Sequence, residues 1–167
     1  LGDPGSGKTT LLRYLALRHA QALLAGRRPG DPHPKEELGA VRFPVLLRIA
    51  DYVEASPGAG KALSDLLGEI GRRAECPAQG LQELLTAELA AGGCLLLLDG
   101  LDEIVSADDR RRVVTSIENF VRRYQAGGPR GANHFLVTSR SAGYRSAPLA
   151  PPFAHYVVLE MDEAQIR

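Results

Sequence analysis

The sequence is poor in the features that mark secreted, membrane-bound or nucleic-acid-binding proteins. Two cysteines, one methionine and no tryptophan occur among its 167 residues. A disulfide framework is therefore not expected, and a reducing cytoplasm is the favoured compartment. The 20 basic residues balance 20 acidic ones, which gives no support to a nucleic-acid or membrane-surface partner. The first residues show neither the basic nor the apolar region of a signal peptide.

Long apolar runs are also missing. The longest covers Leu89–Leu98, between Glu88 and Asp99, whereas a bilayer span needs roughly 20 apolar residues. We therefore expect no membrane partner. Hydrophobic residues make up 44% and charged residues 24% of the chain, a composition typical of a folded domain with one core.

Strand-like and helix-like segments alternate along the chain, which predicts an α/β fold with a parallel sheet. Apolar residues at helical spacing support most of the helices, and short apolar runs support the strands. The predicted helices cover residues 10–24, 62–75, 78–91 and 107–125, and a further helix is expected to begin within 161–166. The predicted strands cover residues 41–49, 94–98, 134–138 and 156–159.

Residues 2–9 fit the phosphate-loop pattern G-x-x-x-x-G-K-[ST] at every fixed position. Glycines let successive N–H groups turn toward phosphate oxygens, and the helix that follows adds its positive N-terminal end. A chance match in a Gly-rich turn is the alternative, but the amphipathic helix directly behind favours phosphate binding. We predict that Lys8 reaches the β- and γ-phosphates and that the Thr9 hydroxyl binds Mg²⁺. The other predicted nucleotide-binding residues of this segment are Gly2, Asp3, Pro4, Gly5, Ser6 and Gly7.

A phosphate loop normally follows a buried strand, and here only Leu1 precedes it. We therefore expect that the first strand of the sheet has been trimmed off and that the chain is a fragment of a larger protein.

Acidic residues follow the apolar run 94–98. A carboxylate at the end of a buried strand can hold Mg²⁺ beside bound phosphates, and Asp99 has that position. Many ATPases carry a catalytic Glu directly after this Asp, but here Gly100 occupies the place and acids return at Asp102 and Glu103. For Glu103, a solvated helix start with favourable acids is an alternative.

Together these segments resemble the NACHT family of STAND-class P-loop ATPases. The resemblance rests on Gly2–Thr10, on Leu95–Ile104 with its D-G-L-D-E core, and on Phe135–Arg140, which ends in Thr-Ser-Arg before Gly143 and Tyr144. It covers nearly the whole chain in the expected order. It implies a three-layer P-loop NTPase fold with a parallel central sheet, in which the trimmed strand lies beside the strand that ends near Arg140.

The resemblance also implies roles for individual residues. Arg140 would sense the γ-phosphate, Asp102 and Glu103 would orient or activate the attacking water, and Thr10 would line the nucleotide site. A guanidinium at a strand tip can pair with a phosphate or with a nearby carboxylate, so a structural salt bridge is the alternative for Arg140.

The function implied is a signalling switch, with ATP and Mg²⁺ as ligands and slow hydrolysis to ADP as the reset. Residues 1–167 would form a partial NACHT domain, with effector and sensor domains elsewhere in the same chain and a homo-oligomer on activation. Defence signalling and a bacterial source are expected. A motor-like AAA-type ATPase and a nucleotide-holding scaffold remain open, although the displaced acids favour a slow switch.

Two arginine runs, at 110–112 and 122–123, lie off the apolar stripe of their predicted helix and are flanked by acids. We interpret them as solvated helix surface rather than as a phosphate or nucleic-acid contact. The cysteine and histidine spacing does not predict a zinc site.

Overall fold

A computed structural model of the chain describes residues 1–55 and 78–159. Its helices are α1 (Lys8–Leu24), α2 (Ile49–Ala55), α3 (Ala78–Ala91), α4 (Ala107–Tyr124) and α5 (Ser141–Tyr144), and its strands are β1 (Phe43–Arg48), β2 (Cys94–Asp99) and β3 (His134–Val137). The helix predicted at 62–75 and the helix start predicted within 161–166 lie outside the described residues. Within the described ranges, no helix is long and apolar enough to cross a membrane.

The three strands form one parallel sheet in the order β1-β2-β3. Arg48 is in register with Asp99, and Leu98 is in register with Val137. Because the strands are parallel, their carboxyl ends meet at one end of the sheet. The prediction of an α/β fold with a parallel sheet is confirmed.

The leucines of β2 point alternately to two separate cores. Leu95 and Leu97 pack with Leu12 of α1 on one face of the sheet. Leu96 and Leu98 pack on the other face with side chains of α2, α3 and α4. A strand buried on both faces needs an uninterrupted apolar sequence, which β2 has. Helices on both sides of the sheet give the three-layer arrangement that the resemblance implied.

The boundaries of α4 follow from its sequence. The side chain of Ser106 caps the helix by accepting the Asp109 N–H at 3.3 Å. Acids fill the first turn and arginines the last, which complements the helix dipole. The buried residues of the helix form one stripe, Val113, Val114, Ile117, Phe120 and Val121. The predicted helix at 107–125 is therefore confirmed.

The strand predicted at 156–159 is wrong, because these residues form no strand in the structure. Leu1 donates its terminal amine to the Tyr156 carbonyl, and Val158 donates its N–H to the Leu1 carbonyl, both at 2.7 Å. These two bonds follow the parallel pattern. A strand needs several paired residues, and here the pairing involves Leu1 alone.

A cavity of about 710 Å³ lies between β3 and residues 152–158. Its walls include Leu12 of α1 and Leu136 of β3, and Phe153 and Val158 of the segment 152–158. The four residues of β3 are consequently only partly buried or exposed, unlike those of β2.

Candidate functional site

Polar residues lie at the carboxyl ends of all three strands, and therefore at the same end of the sheet. Arg48 ends β1, Asp99 ends β2, and Thr138 to Arg140 follow β3. In open parallel sheets, ligands bind at the carboxyl ends of the strands. The predicted site residues Asp99, Asp102, Glu103 and Arg140 therefore lie at one end of the sheet.

The phosphate loop enters α1 through Gly7. This residue caps the helix with φ 85° and provides no side-chain cap, and the first turn of α1 contains no acidic residue. The positive φ favours glycine. Because an uncapped first turn leaves its N–H groups without intrahelical partners, the start of α1 suits an anion such as a phosphate.

The side chain of Lys8 folds back across the loop. Its Nζ donates to the carbonyls of Gly2 and Asp3 at 2.7 and 2.8 Å, and to the Ser6 hydroxyl at 3.2 Å. These bonds tie the start of the loop to the first residue of α1. The ammonium group is thereby held among the loop residues predicted to surround phosphates.

Oxygen ligands suited to Mg²⁺ lie side by side at the end of β2. The Thr9 hydroxyl donates to one carboxylate oxygen of Asp99 at 2.8 Å. The Thr138 hydroxyl donates to the other oxygen and accepts the Gly100 N–H at 3.0 Å. Mg²⁺ typically takes one or two protein oxygens together with phosphate and water oxygens. Residues 1–55 and 78–159 contain no cluster of three or more His, Cys, Asp or Glu that could hold a metal ion.

The turn after Asp99 brings Asp102 and Glu103 back toward the end of β2. Gly100 has φ 83° and leads into a 3₁₀ turn at Leu101–Glu103. The positive φ favours glycine at this position, and a Cβ on Gly100 would also lie 2.9 Å from the Glu103 Cδ, so that side chain would have to shift. The Glu103 carboxylate accepts a hydrogen bond from Arg48 at 3.1 Å, which raises the pKa of Arg48.

Asp102 connects this turn to the segment after β3. One carboxylate oxygen accepts the Arg140 N–H at 2.8 Å, and the other pairs with the Arg140 Nε at 3.1 Å. The Asp102 side chain is only 12% exposed, whereas that of Arg140 is 57% exposed. Arg140 therefore forms the ion pair named as its alternative, while its guanidinium remains at the surface beside the phosphate loop.

A cavity of about 270 Å³ joins these groups. Of the predicted site residues, the cavity is lined by Pro4, Gly5, Gly7, Lys8, Thr9, Thr10, Asp99, Asp102, Glu103 and Arg140. Gly2, Asp3 and Ser6 are not in its lining but contact Lys8. A volume of this size is at the lower end of ligand pockets and suits the phosphate part of a nucleotide.

Three residues near this end of the sheet, Thr138, Arg48 and Arg110, were not predicted to belong to the site. Thr138 fixes the Asp99 carboxylate, and Arg48 pairs with Glu103. The position of Arg48 at the end of a predicted parallel strand could have indicated a place beside Asp99. Arg110 was expected on a solvated helix face, and this is wrong because its guanidinium bonds two neighbouring segments. Arg111 and Arg112 do lie on the exposed face.

Comparison with known proteins gives one finding. A family model described as the NACHT domain matches residues 1–167. Neither the curated proteins nor the solved structures give a match to the chain. The family match covers the phosphate loop, Asp99 and the segment around Arg140 together. The chain therefore belongs to the NACHT family and is an NTPase module of the STAND type.

Proposed function

We propose that this domain binds ATP with Mg²⁺, hydrolyses it slowly and thereby switches a larger signalling protein. The observation that carries the proposal is the contact between Thr9 and Asp99 at 2.8 Å, beside a loop whose Lys8 ammonium is held among main-chain carbonyls. Thr9 and Asp99 would hold Mg²⁺, which neutralises developing phosphate charge when bound. The start of α1 and Lys8 would hold the β- and γ-phosphates.

The two displaced acids support a slow reaction. Asp102 and Glu103 are each paired with an arginine, so each would orient a water molecule with a carboxylate whose charge is partly neutralised. The place that holds a catalytic Glu in many ATPases is Gly100 here. Slow hydrolysis fits a switch that persists in its ATP-bound state better than a motor with continuous turnover.

Family membership supports the wider proposal. A NACHT module works within a multidomain chain, and we propose effector and sensor domains beside this one, a homo-oligomer on activation, and a role in cytoplasmic defence signalling. The zero net charge agrees with partners other than nucleic acid.

The binding test compares two lysine variants in the natural full-length protein by calorimetry with Mg²⁺-ATP. Lys8→Ala should abolish binding, because it removes the cation that the loop holds. Lys35→Ala is the matched control, since the Lys35 ammonium contacts Tyr14 away from the site. Equal ATP affinity in wild type and Lys8→Ala would refute the assignment. Single-turnover hydrolysis then separates a slow switch from a motor with fast turnover and from a scaffold without turnover.

We further propose that the 710 Å³ cavity receives a β-strand supplied by residues that precede Leu1 in the natural protein. Thr138 donates its N–H to Leu98, so the alternate residues Phe135 and Val137 direct their main-chain groups toward the cavity. Leu1 already pairs on the far side with Tyr156 and Val158. A strand here would border β3 and lead directly into the phosphate loop.

This proposal predicts a large difference in stability. Three buried aliphatic side chains in the added strand would contribute on the order of 5 kcal/mol, a large share of a typical domain stability of about 5–15 kcal/mol. A protein that begins some ten residues earlier should melt cooperatively, whereas residues 1–167 alone should aggregate or melt without a sharp transition. A soluble, monomeric and cooperatively melting 1–167 would refute it.

A further inference from the structure

Arg110 differs from the other arginines of α4 in what it contacts. Its Nη1 donates to the Gly143 carbonyl at 3.1 Å and to the Ser146 hydroxyl at 2.7 Å, and its Nη2 donates to the Ile104 carbonyl. One guanidinium thus joins the start of α4 to the end of the acidic turn, six residues earlier, and to the region of α5, more than 30 residues later.

Two of these segments carry the paired groups of the candidate site. Ile104 directly follows the 3₁₀ turn that contains Asp102, and Gly143 lies in α5, which begins directly after Arg140. The segments pack closely, because a Cβ on Gly143 would lie 3.0 Å from the Asp102 Cβ. The bonds from Arg110 therefore hold together the two segments whose side chains form the Asp102–Arg140 ion pair.

The chemistry of arginine suits this role. A guanidinium is planar, always charged, and carries five N–H donors in a fixed arrangement, so it can bond acceptors on separate segments at once. Arg110 is partly buried and is not among the residues that line the 270 Å³ cavity. It would act on a bound nucleotide only through Asp102 and Arg140.

We propose that Arg110 is a positioning residue for hydrolysis, which fixes Arg140 and Asp102 relative to the phosphate loop. The proposal rests on the ATPase function proposed above. Displacement of a catalytic group by about 1 Å can lower a rate about 100-fold. Arg110→Ala should therefore slow single-turnover ATP hydrolysis about 10- to 100-fold, while ATP affinity changes little, because Lys8 and Thr9 keep their contacts.

The first experiment measures single-turnover rate and ATP affinity in the natural full-length protein. Arg111→Ala is the matched control, since Arg111 pairs with Asp108 on the exposed face of the same helix, and it should behave as wild type. An Arg110→Ala rate equal to that of Arg111→Ala, or a loss confined to ATP affinity, would overturn the proposal.

A double variant separates positioning from general loss of stability. If Arg110 acts through the Asp102–Arg140 pair, then Arg110→Ala should add clearly less than its single-variant loss of rate in an Arg140→Ala background, because that pair is already broken. Independent, multiplying losses would overturn the proposal. Should Arg110→Ala fail to fold, Arg110→Lys replaces it. A lysine lacks the two separate Nη groups that bond Gly143 and Ile104, so the rate loss should remain, and a wild-type rate in Arg110→Lys would overturn the proposal.

Hydrogen exchange without nucleotide tests, independently of activity, whether Arg110 holds the two segments together. The N–H of Arg140 bonds Asp102, and the N–H of Tyr144 bonds the Arg140 carbonyl. Both amides should exchange about tenfold faster in Arg110→Ala, while the Leu11 amide of α1, bonded to Gly7, keeps its wild-type rate. If the wild-type protein does not bind or hydrolyse ATP, the proposed ATPase function fails, and the exchange rates alone show whether Arg110 positions Asp102 and Arg140. Unchanged exchange at Arg140 and Tyr144 would overturn the proposal.

Discussion

Two arginines at opposite ends of β1 show how differently the two ends of the sheet use charge. Arg42, just before the strand, is 8% exposed and donates to the main-chain carbonyls of Gly92 and Ala132. Arg48, the last residue of the strand, has a side chain 62% exposed and pairs with the Glu103 carboxylate. The first contacts fixed backbone acceptors, and the second contacts a side chain that can move.

The difference teaches which end can respond to a ligand. An exposed ion pair contributes about 0–1 kcal/mol, so Arg48 and Glu103 can separate when other charges arrive. A buried guanidinium whose acceptors are main-chain carbonyls cannot leave without orphaning them, at about 1–3 kcal/mol per group. Further buried bonds follow the same pattern, since the Asn133 side chain bonds the Cys94 N–H and the Leu89 carbonyl. The amino end stabilises the fold, and the carboxyl end is free to exchange partners.

The largest effect should come from the acids at the carboxyl end. Glu103→Gln and Asp102→Asn should each slow single-turnover ATP hydrolysis about 10²–10⁴-fold, the usual contribution of general acid–base groups, with ATP affinity retained. Asp108→Asn, on the exposed face of α4, is the control. Wild-type rates in both acid variants would show that neither acid orients the water.

At the amino end, the same kind of change should affect stability instead. Arg42→Met should lower the free energy of unfolding by about 2–5 kcal/mol, because the Gly92 and Ala132 carbonyls lose a buried donor. Arg48→Met is the matched control and should change it by less than about 1 kcal/mol. Denaturant unfolding measures both. Equal losses would mean that the two ends of β1 do not differ as described.

The buried histidine near Arg42 should make stability depend on pH. Burial, with the nearby His33 and Arg42, lowers the pKa of His19 from 6.5 to about 4. Between these values the unfolded chain binds a proton that the folded chain does not, so stability is full above pH 6.5 and falls toward pH 4, by at most about 3 kcal/mol.

Unfolding at several pH values tests this in His19→Gln, which keeps an acceptor for the Arg42 N–H that His19 accepts at 3.2 Å. The variant should lose part of the acid sensitivity. His155→Gln, on the exposed segment, should keep all of it. An unchanged pH slope in His19→Gln would assign the sensitivity to other groups.

The smallest effect is expected at Asp99, which shares its contacts with Thr9 and Thr138. Asp99→Asn should weaken Mg²⁺-dependent ATP binding about tenfold, equivalent to about 1.4 kcal/mol, since an amide keeps an oxygen but loses the charge. Calorimetry with Mg²⁺ and with a chelator isolates the metal-dependent part. If the two affinities keep their wild-type ratio, Asp99 does not hold the metal.

Much of the fold could be predicted from the sequence because local patterns determine it. The apolar run of β2 and the stripe on α4 each require one kind of neighbour, and the structure provides it. The strand expected at 156–159 was wrong because an apolar, β-branched sequence becomes a strand only where a partner strand runs alongside. The sequence of these four residues does not reveal whether such a partner is present.

The candidate site was predictable where it depends on a contiguous motif, as for Lys8 and Thr9. The pairs Arg48–Glu103 and Arg110–Gly143 join residues 55 and 33 positions apart. Such contacts depend on strand register and on the path of the loops, which residue spacing does not reveal. A charged residue flanked by opposite charges looks like solvated surface in the sequence, and only its position in three dimensions separates Arg110 from Arg111.

Gly100 has a consequence for how this site can change by mutation. Every substitution there introduces a Cβ, which with Glu103 in its present place would lie 2.9 Å from the carboxyl carbon. The positive φ of Gly100 strains any other residue there, and the Glu103 side chain would also have to shift. A Glu directly after Asp99, as in many ATPases, would therefore bring backbone strain at position 100 and disturb the Arg48–Glu103 pair. The turn that returns Glu103 to the site is thus the same turn that disfavours an acid at position 100.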